Sequence, residues 1–81
     1  MIFEVVQEVI AKQLHIDPSE ITMDSHLRND LNADSIDAVD IIMELEDRFN
    51  MEFNDEDLER LETIQNVVEY IEAHTSEDDD I

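Results

Sequence analysis

The sequence contains no cysteine and no glycine, a single proline and no tryptophan. Without cysteine the chain can form no disulfide and no thiolate metal site, and it has no cysteine nucleophile of its own. A Walker loop, a dinucleotide-binding fingerprint and a G-x-S-x-G nucleophile elbow all need glycine where the backbone turns sharply or approaches a ligand. The absence of glycine therefore excludes these three kinds of site.

Positive charge is also scarce. Lys and Arg number 4 against 24 Asp and Glu, which gives a formal net charge of −20. Such a surface repels nucleic acid and anionic membrane faces. No apolar run approaches the roughly 20 residues of a membrane span, and the first residues lack the basic and then apolar pattern of a secretory signal. We expect no nucleic-acid partner, no membrane insertion and a cytoplasmic location.

The chain nevertheless has enough apolar residues to fold. Leu, Ile, Val and Phe number 25 of the 81 residues, which is above the roughly 20% below which disorder is expected. A chain of this length has room for one core only. We therefore expect one small domain.

Apolar residues recur at helical spacing in three segments. Residues 2–14 carry them at i, i+3, i+4, i+7 and i+8, which predicts an amphipathic helix. The strongest pattern begins after Asp34 and predicts a helix over residues 35–49. Thr63 precedes a further pattern of this kind, which predicts a last helix from residue 64 to about residue 74.

The remaining segments predict a short helix, a long loop and a tail. Asn54 is followed by three acidic residues, as at the start of a helix, but few apolar residues follow. No strand-type alternation occurs, so the predicted fold class is all-α: a four-helix bundle of three main helices plus one short helix, with a long first loop. A loop of about 20 residues usually has a function. Residues 76–81, with three consecutive Asp, predict an acidic flexible tail after a domain of residues 1–75.

The predicted second long helix has one acidic side. On a helical wheel its acids share a sector about 80° wide: Asp37, Asp40, Glu44 and Asp47. We expect the opposite side to face the core: Val39, Ile42, Leu45 and Phe49. Ile36 and Met43 lie at the edge of the acidic sector. The simplest interpretation is a solvated face, but unmixed like charges repel, which favours docking to a basic partner with a shallow apolar dent.

Ser35 stands where this helix begins. The simplest interpretation of its hydroxyl is an N-cap. A self-activated nucleophile is not supported, because no local arrangement pairs Ser35 with His15, His26 or His74. A phosphodiester would be favoured there, since the first turn offers free N–H groups and the positive end of the helix dipole.

Residues 30–37, Asp-Leu-Asn-Ala-Asp-Ser-Ile-Asp, closely resemble the D-L-G-A-D-S-L-D motif of the acyl carrier proteins of dissociated fatty acid synthesis. The resemblance extends to residues 16–22, 39–49 and 63–67, and so covers essentially the whole chain. It implies a carrier that is not an enzyme. In that family a carrier protein synthase attaches 4′-phosphopantetheine to the serine, here Ser35, and the thiol of the arm holds acyl intermediates as thioesters.

The resemblance also implies roles for neighbouring residues. Asp34 would help to present Ser35, and no resident metal is implied. The docking surface would comprise Ile36, Asp37, Val39, Asp40, Met43, Glu44, Glu46 and Asp47. Its partners would be the carrier protein synthase, which is a phosphopantetheinyl transferase, and acyl-chain enzymes with basic docking patches. We expect the carrier to be a monomer that moves intermediates between enzymes of fatty acid or related lipid biosynthesis.

The sequence departs from the family motif at two positions near Ser35. Asn32 replaces the usual glycine, which we expect to be tolerated because asparagine adopts left-handed backbone more readily than most residues. Ile36 replaces the common leucine and changes the shape offered to a partner. The residues leave open whether the carrier serves primary fatty acid synthesis or a specialised polyketide or cell-envelope pathway.

An acidic interaction protein or a divalent-cation-binding protein is the alternative from another class. Asp30, Asn32 and Asp34 have the spacing of the first three ligands of a calcium loop. The pattern then fails, because Ser35 stands where that loop needs glycine and Ile41 where it needs glutamate. The acidic stripe directly after Ser35 favours a carrier.

Overall fold

The computed structural model describes residues 2–75. They form four α-helices: α1 (Ile2–Leu14), α2 (Ser35–Phe49), α3 (Asp55–Leu58) and α4 (Ile64–Thr75). A 3-10 helix, Pro18–Glu20, lies between α1 and α2. Residues 2–75 include no β-strand, so the predicted all-α class is confirmed. The predicted acidic tail, residues 76–81, lies outside the described residues.

Side-chain caps fix where two of these elements begin. The Thr63 hydroxyl accepts a hydrogen bond from the backbone N–H of Asn66 at 3.2 Å, so Thr63 starts α4 as predicted. Asp17 caps the 3-10 helix by accepting from the N–H of Ser19 at 2.9 Å. Because this bond favours the ionised carboxylate, it holds the pKa of Asp17 below its usual value.

The core lies between α1, α2 and α4, and α1 packs against both of the others. A buried Ile or Leu side chain contributes about 1.5–3 kcal/mol relative to an exposed one. The largest fully buried side chains come from these three helices and the first loop: Val6, Ile10, Ile21, Leu45, Ile64, Val67 and Ile71. One hydrophobic core therefore supports the whole described chain.

The core face of α2 differs from the prediction at Val39, which is exposed, and at Ile41, which is buried although it was not predicted to be. Its buried residues are Ile41, Ile42 and Leu45, whereas Val39 is 55% exposed. The three buried residues span an arc of about 100°, and Val39 lies about 60° beyond it. The prediction that Val39 faces the core was therefore wrong.

The long first loop is fastened to the segment between α3 and α4 by backbone hydrogen bonds. The N–H of Leu27 donates to the carbonyl of Glu62 at 2.9 Å, and the N–H of Ile64 donates to the carbonyl of Ser25 at 3.0 Å. Ile21 and Leu27, which belong to this loop, are buried in the core. These contacts fix the middle of the loop against the segment before α4.

Candidate attachment site and docking face

The loop reaches α2 through a tight turn. The N–H groups of Asp30 and Leu31 both donate to the carbonyl of His26, and the N–H of Ala33 donates to the carbonyl of Leu27 at 2.9 Å. Asn32 has φ 59°, in the left-handed region, as its replacement of glycine led us to expect. The turn therefore holds the residues before α2 against the middle of the loop.

Asp34, and not Ser35, is the N-cap of α2. The Asp34 backbone is extended, and its Oδ1 accepts from the N–H of Asp37 at 2.8 Å. In return Asp37 Oδ2 accepts from the N–H of Asp34 at 3.4 Å, which completes a capping box. The interpretation of the Ser35 hydroxyl as the N-cap was wrong, because the Asp34 carboxylate accepts the hydrogen bond from the N–H of Asp37.

Ser35 is the first residue of α2 and is exposed. Its hydroxyl is therefore accessible at the positive end of a helix of 15 residues. Backbone N–H groups of a first turn lack partners within the helix. An anionic group attached to Ser35 would meet favourable electrostatics there.

A cavity of about 240 Å³ opens beside Ser35. Most of its lining is apolar and comes from all four α-helices and the connecting segments. The lining residues are Ile10, Leu27, Arg28, Ser35, Ala38, Val39, Ile41, Ile42, Leu58, Glu59, Leu61 and Val67. An exposed hydroxyl beside an apolar cavity fits a long arm with an apolar cargo. Sequence reasoning did not identify Arg28, Leu58 or Leu61 as neighbours of Ser35, since only the fold brings them together.

The predicted docking surface contains an exposed apolar row. Ile36 is 72% exposed, Val39 55% and Met43 60%. Large apolar side chains exposed next to one another indicate an interaction site when polar residues surround them. The exposure of Ile36 and Met43 agrees with their predicted place at the edge of the acidic sector.

The acids of the same helix are not equivalent. Asp40, Glu44 and Asp47 are exposed. Asp37 and Glu46 are half-buried; Asp37 belongs to the capping box, and Glu46 Oε2 accepts from the N–H of Phe53 at 2.8 Å. Two of the predicted docking acids therefore also hold the local backbone.

Arg48 neutralises part of the acidic stripe. Its Nε lies 3.0 Å from Glu44 Oε2, and its Nη1 lies 3.7 Å from Glu8 Oε1 of α1. Exposed pairs of this kind contribute little stability, about 0–1 kcal/mol. They matter more for the distribution of charge on the surface. Asp40 and Asp47 remain as the exposed acids of α2 that form no ion pair within residues 2–75.

The described part of the chain contains no group of three or more His, Asp or Glu residues placed to hold a metal ion. In that same part no helix has the length and apolar character to cross a membrane.

Comparison with known proteins identifies the family. The sequence pattern described as phosphopantetheine attachment site matches residues 4–71. The chain is 49% identical over 77 residues to an acyl carrier protein from Clostridium acetobutylicum, covering 95% of this chain and 100% of that protein. The chain belongs to the acyl carrier protein family. The resemblance noted in residues 30–37 is thereby confirmed.

Two further comparisons agree with this assignment. An acyl carrier protein from Phytoplasma mali is 45% identical over 74 residues, which cover 91% of this chain and 88% of that protein. A solved structure of the acyl carrier protein from Enterococcus faecalis superposes with a TM-score of 0.73 at 37% identity, covering 86% of this chain and 89% of the other. Membership of this family makes the chain a carrier and not an enzyme, with 4′-phosphopantetheine as its prosthetic group.

Proposed function

We propose that 4′-phosphopantetheine is attached to Ser35 and that the carrier moves acyl intermediates between enzymes of fatty acid or related lipid biosynthesis. The observation that carries the proposal is the exposed Ser35 hydroxyl on the first turn of α2, beside an apolar cavity. Asp34 supports it by capping the helix itself. The hydroxyl is thus not required as the cap and is accessible to a modifying enzyme.

The bound arm supplies the thiol that holds an acyl group, chemistry that a chain without cysteine cannot supply itself. The protein's own residues position the arm and shelter its cargo. The capping box of Asp34 and Asp37 orders the first turn, and the N–H groups of that turn favour the attached phosphate.

The cavity beside Ser35 is the shelter for the cargo. Ile10, Ile42 and Val67 lie among its walls, and each methylene removed from water there contributes about 0.8 kcal/mol. Its volume of about 240 Å³ is below the roughly 300–1,000 Å³ of sites for drug-sized ligands. A short acyl chain therefore fits the cavity as it stands, and a longer one requires the helices to move apart.

We propose that partners dock on α2 through the exposed apolar row and the surrounding acids. Long-range attraction between an acidic carrier and a basic enzyme accelerates encounter. A small apolar contact, here Ile36, Val39 and Met43, leaves dissociation fast enough for a shuttle. The carrier protein synthase and the acyl-chain enzymes would compete for this one face.

Modification in vitro tests the attachment site. Wild type, Ser35→Ala and Ser19→Ala are incubated with coenzyme A, magnesium and a broad-specificity phosphopantetheinyl transferase, and intact masses are measured. We expect one arm on wild type and on Ser19→Ala, and none on Ser35→Ala, because only Ser35 stands at the start of α2. An arm on Ser35→Ala, or an unmodified wild type beside an active control carrier, would contradict the proposal.

Charge reversal tests the docking face. Asp40 and Asp47 are replaced together by Lys, and in a matched control the exposed Glu56 and Glu72 are replaced together by Lys. Both double variants carry the same net charge, so only the position of the charge differs. At low salt we expect the rate of modification to fall about tenfold or more for the α2 variant and much less for the control. Equal rates for the two variants would refute docking on α2.

We also propose that the carrier is a cytoplasmic monomer. A net charge of −20 opposes self-association, and a shuttle has to share a compartment with its enzymes. Sedimentation equilibrium at physiological salt should give the mass of a single chain, and cell fractionation should recover the protein with soluble enzymes. A dimer mass or recovery with membranes would contradict this part of the proposal.

A further inference from the structure

Arg28 is the basic residue that lies beside Ser35. The chain has only 4 Lys and Arg residues. Arg48 is engaged by Glu8 and Glu44, and Arg60 lies beside a different cavity. Arg28 lines the cavity that Ser35 also lines. In a molecule of charge −20, a cation in the wall of an apolar cavity is unexpected.

The backbone fixes the place of Arg28. The preceding residue, Leu27, donates its N–H to Glu62 and accepts the N–H of Ala33 through its carbonyl, both at 2.9 Å. Ala33 lies two residues before Ser35. Arg28 is therefore held next to the start of α2 by hydrogen bonds on both sides of Leu27, although its own side chain is exposed.

The Arg28 guanidinium forms no ion pair with a carboxylate of residues 2–75. Within residues 2–75 Arg48 is the only Lys or Arg residue with a carboxylate oxygen within 4.0 Å, and the further contact of this length, His26 to Glu62, is an ion pair only when His26 is protonated. The neighbouring acid Asp30 directs its Oδ2 to the N–H of His26 at 2.7 Å. Glu59 lines the same cavity, yet it forms no such pair with Arg28. The guanidinium is thus available to an anion.

We propose that Arg28 is a phosphate-binding residue for the prosthetic arm, contacting the phosphodiester that joins the arm to Ser35. The inference rests on the proposed attachment at Ser35. A guanidinium offers several N–H donors in one plane and binds phosphate oxygens more specifically than an ammonium group does. The N–H groups and the dipole at the start of α2 act on the same phosphate.

This contact would set the resting direction of the arm. Arg28 and Ser35 are both at the wall of one apolar cavity, so holding the phosphate between them keeps the arm over its mouth. A cargo chain then enters the cavity in preference to solvent. Since exposed charged contacts are weak, we expect losing Arg28 to change the ratio of held to released arm by about two- to fivefold.

Nuclear magnetic resonance of the apo and arm-bearing forms tests the inference. The Nε–H signals of the arginines are compared before and after modification, and intact mass verifies that one arm is present. We expect the Arg28 signal to shift and the Arg60 signal to stay. The ³¹P signal of the arm should differ between wild type and Arg28→Gln, take an intermediate value in Arg28→Lys, remain near wild type in Arg60→Gln, and approach the Arg28→Gln value at high NaCl.

The outcomes separate the two proposals. If the arm is present but the Arg28 signal does not move and Arg28→Gln leaves the ³¹P signal unchanged, the phosphate contact is refuted while attachment at Ser35 stands. If wild type accepts no arm, or if Ser35→Ala accepts one, the attachment proposal fails and the phosphate contact fails with it. Arg60→Gln controls for the loss of one positive charge, because it removes the same charge from a different place.

Discussion

The turn that brings Ser35 to the start of α2 contains left-handed backbone at Asn32. Its φ of 59° is in the left-handed region, where most residues with a Cβ are destabilised by about 1–2 kcal/mol. In a chain without glycine, asparagine is among the few residues that adopt this conformation at low cost. Position 32 therefore favours asparagine or glycine over other residue types.

Replacing Asn32 tests this dependence. We expect Asn32→Ala to lower the free energy of unfolding by about 1 kcal/mol, because alanine is less stable at positive φ, and Asn32→Gly to change it much less. Urea denaturation followed by circular dichroism gives these values. The exposed Asn29, which has no positive φ, provides the control variant Asn29→Ala. A similar loss for Asn29→Ala and Asn32→Ala would contradict the role of the left-handed backbone.

The sequence alone did not show whether Asp34 or Ser35 is the N-cap of α2. Asp34 and Ser35 are neighbours, and both types are favoured N-caps. The choice depends on backbone angles set by the turn, where Ala33 bonds to Leu27. Left-handed backbone at Asn32 was predictable because it replaces glycine in a motif. The same conformation at Asn50, φ 53°, had no such signal.

Within the helix α2, some apolar residues are buried in the core and others nearby are exposed on the surface. Ile41 is 2% exposed and Ile36 is 72% exposed, although both are isoleucines on one helix. Periodicity predicted the bounds of α2 and α1 as they are observed. It placed Ile42 and Leu45 correctly but misplaced the edges of the buried arc at Val39 and Ile41, because apolar residues extend around much of the helix and the packing of α1 selects the arc.

Truncation of these two isoleucines separates stability from docking. Ile41→Ala should lower the free energy of unfolding by about 2–5 kcal/mol, since it opens a cavity in the core. Ile36→Ala should change it by less than about 0.5 kcal/mol and yet slow modification by the synthase. Urea denaturation and the initial rate of modification measure the two effects. A large loss of stability for Ile36→Ala would contradict its exposed position, and an unchanged rate would show that Ile36 is not a docking residue.

The contacts of the first loop could not be predicted from sequence patterns. Its hydrogen bonds join residues 23–27 to residues 62–65, which are far apart in the chain and have no periodic signal. Only the packed helices bring these segments together. The same holds for the cavity beside Ser35, whose walls come from all four α-helices, the first loop and the segment between α3 and α4.

At the scale of the whole molecule, repulsion between like charges opposes folding. The chain carries −20 with histidine counted as neutral, while Arg48 is the only Lys or Arg residue of the described part of the chain that forms ion pairs. Charges farther apart than the Debye length, about 10 Å at 0.1 M salt, are largely screened. The acidic surface that suits docking therefore costs stability when salt is low.

Salt should consequently stabilise this protein. We expect Tm to rise with NaCl, by about 4–8 °C for each kcal/mol of repulsion that is relieved, and to rise further with millimolar MgCl₂ at matched ionic strength. The less acidic Glu56→Lys and Glu72→Lys double variant should respond less, because it has less repulsion to screen. Calorimetry at several salt concentrations provides the measurement. A Tm that is flat or falls with salt would contradict this account of the charge.

The location of the arm in the modified protein tests the central claim most directly. Trypsin cleaves after Arg28 and Arg48, and residues 29–48 between them contain Ser35 as their only hydroxyl side chain. Mass spectrometry of the tryptic peptides from arm-bearing protein should place one phosphopantetheine on residues 29–48 and none on any other peptide. An unmodified peptide 29–48, with the arm found elsewhere in the chain, would contradict attachment at Ser35.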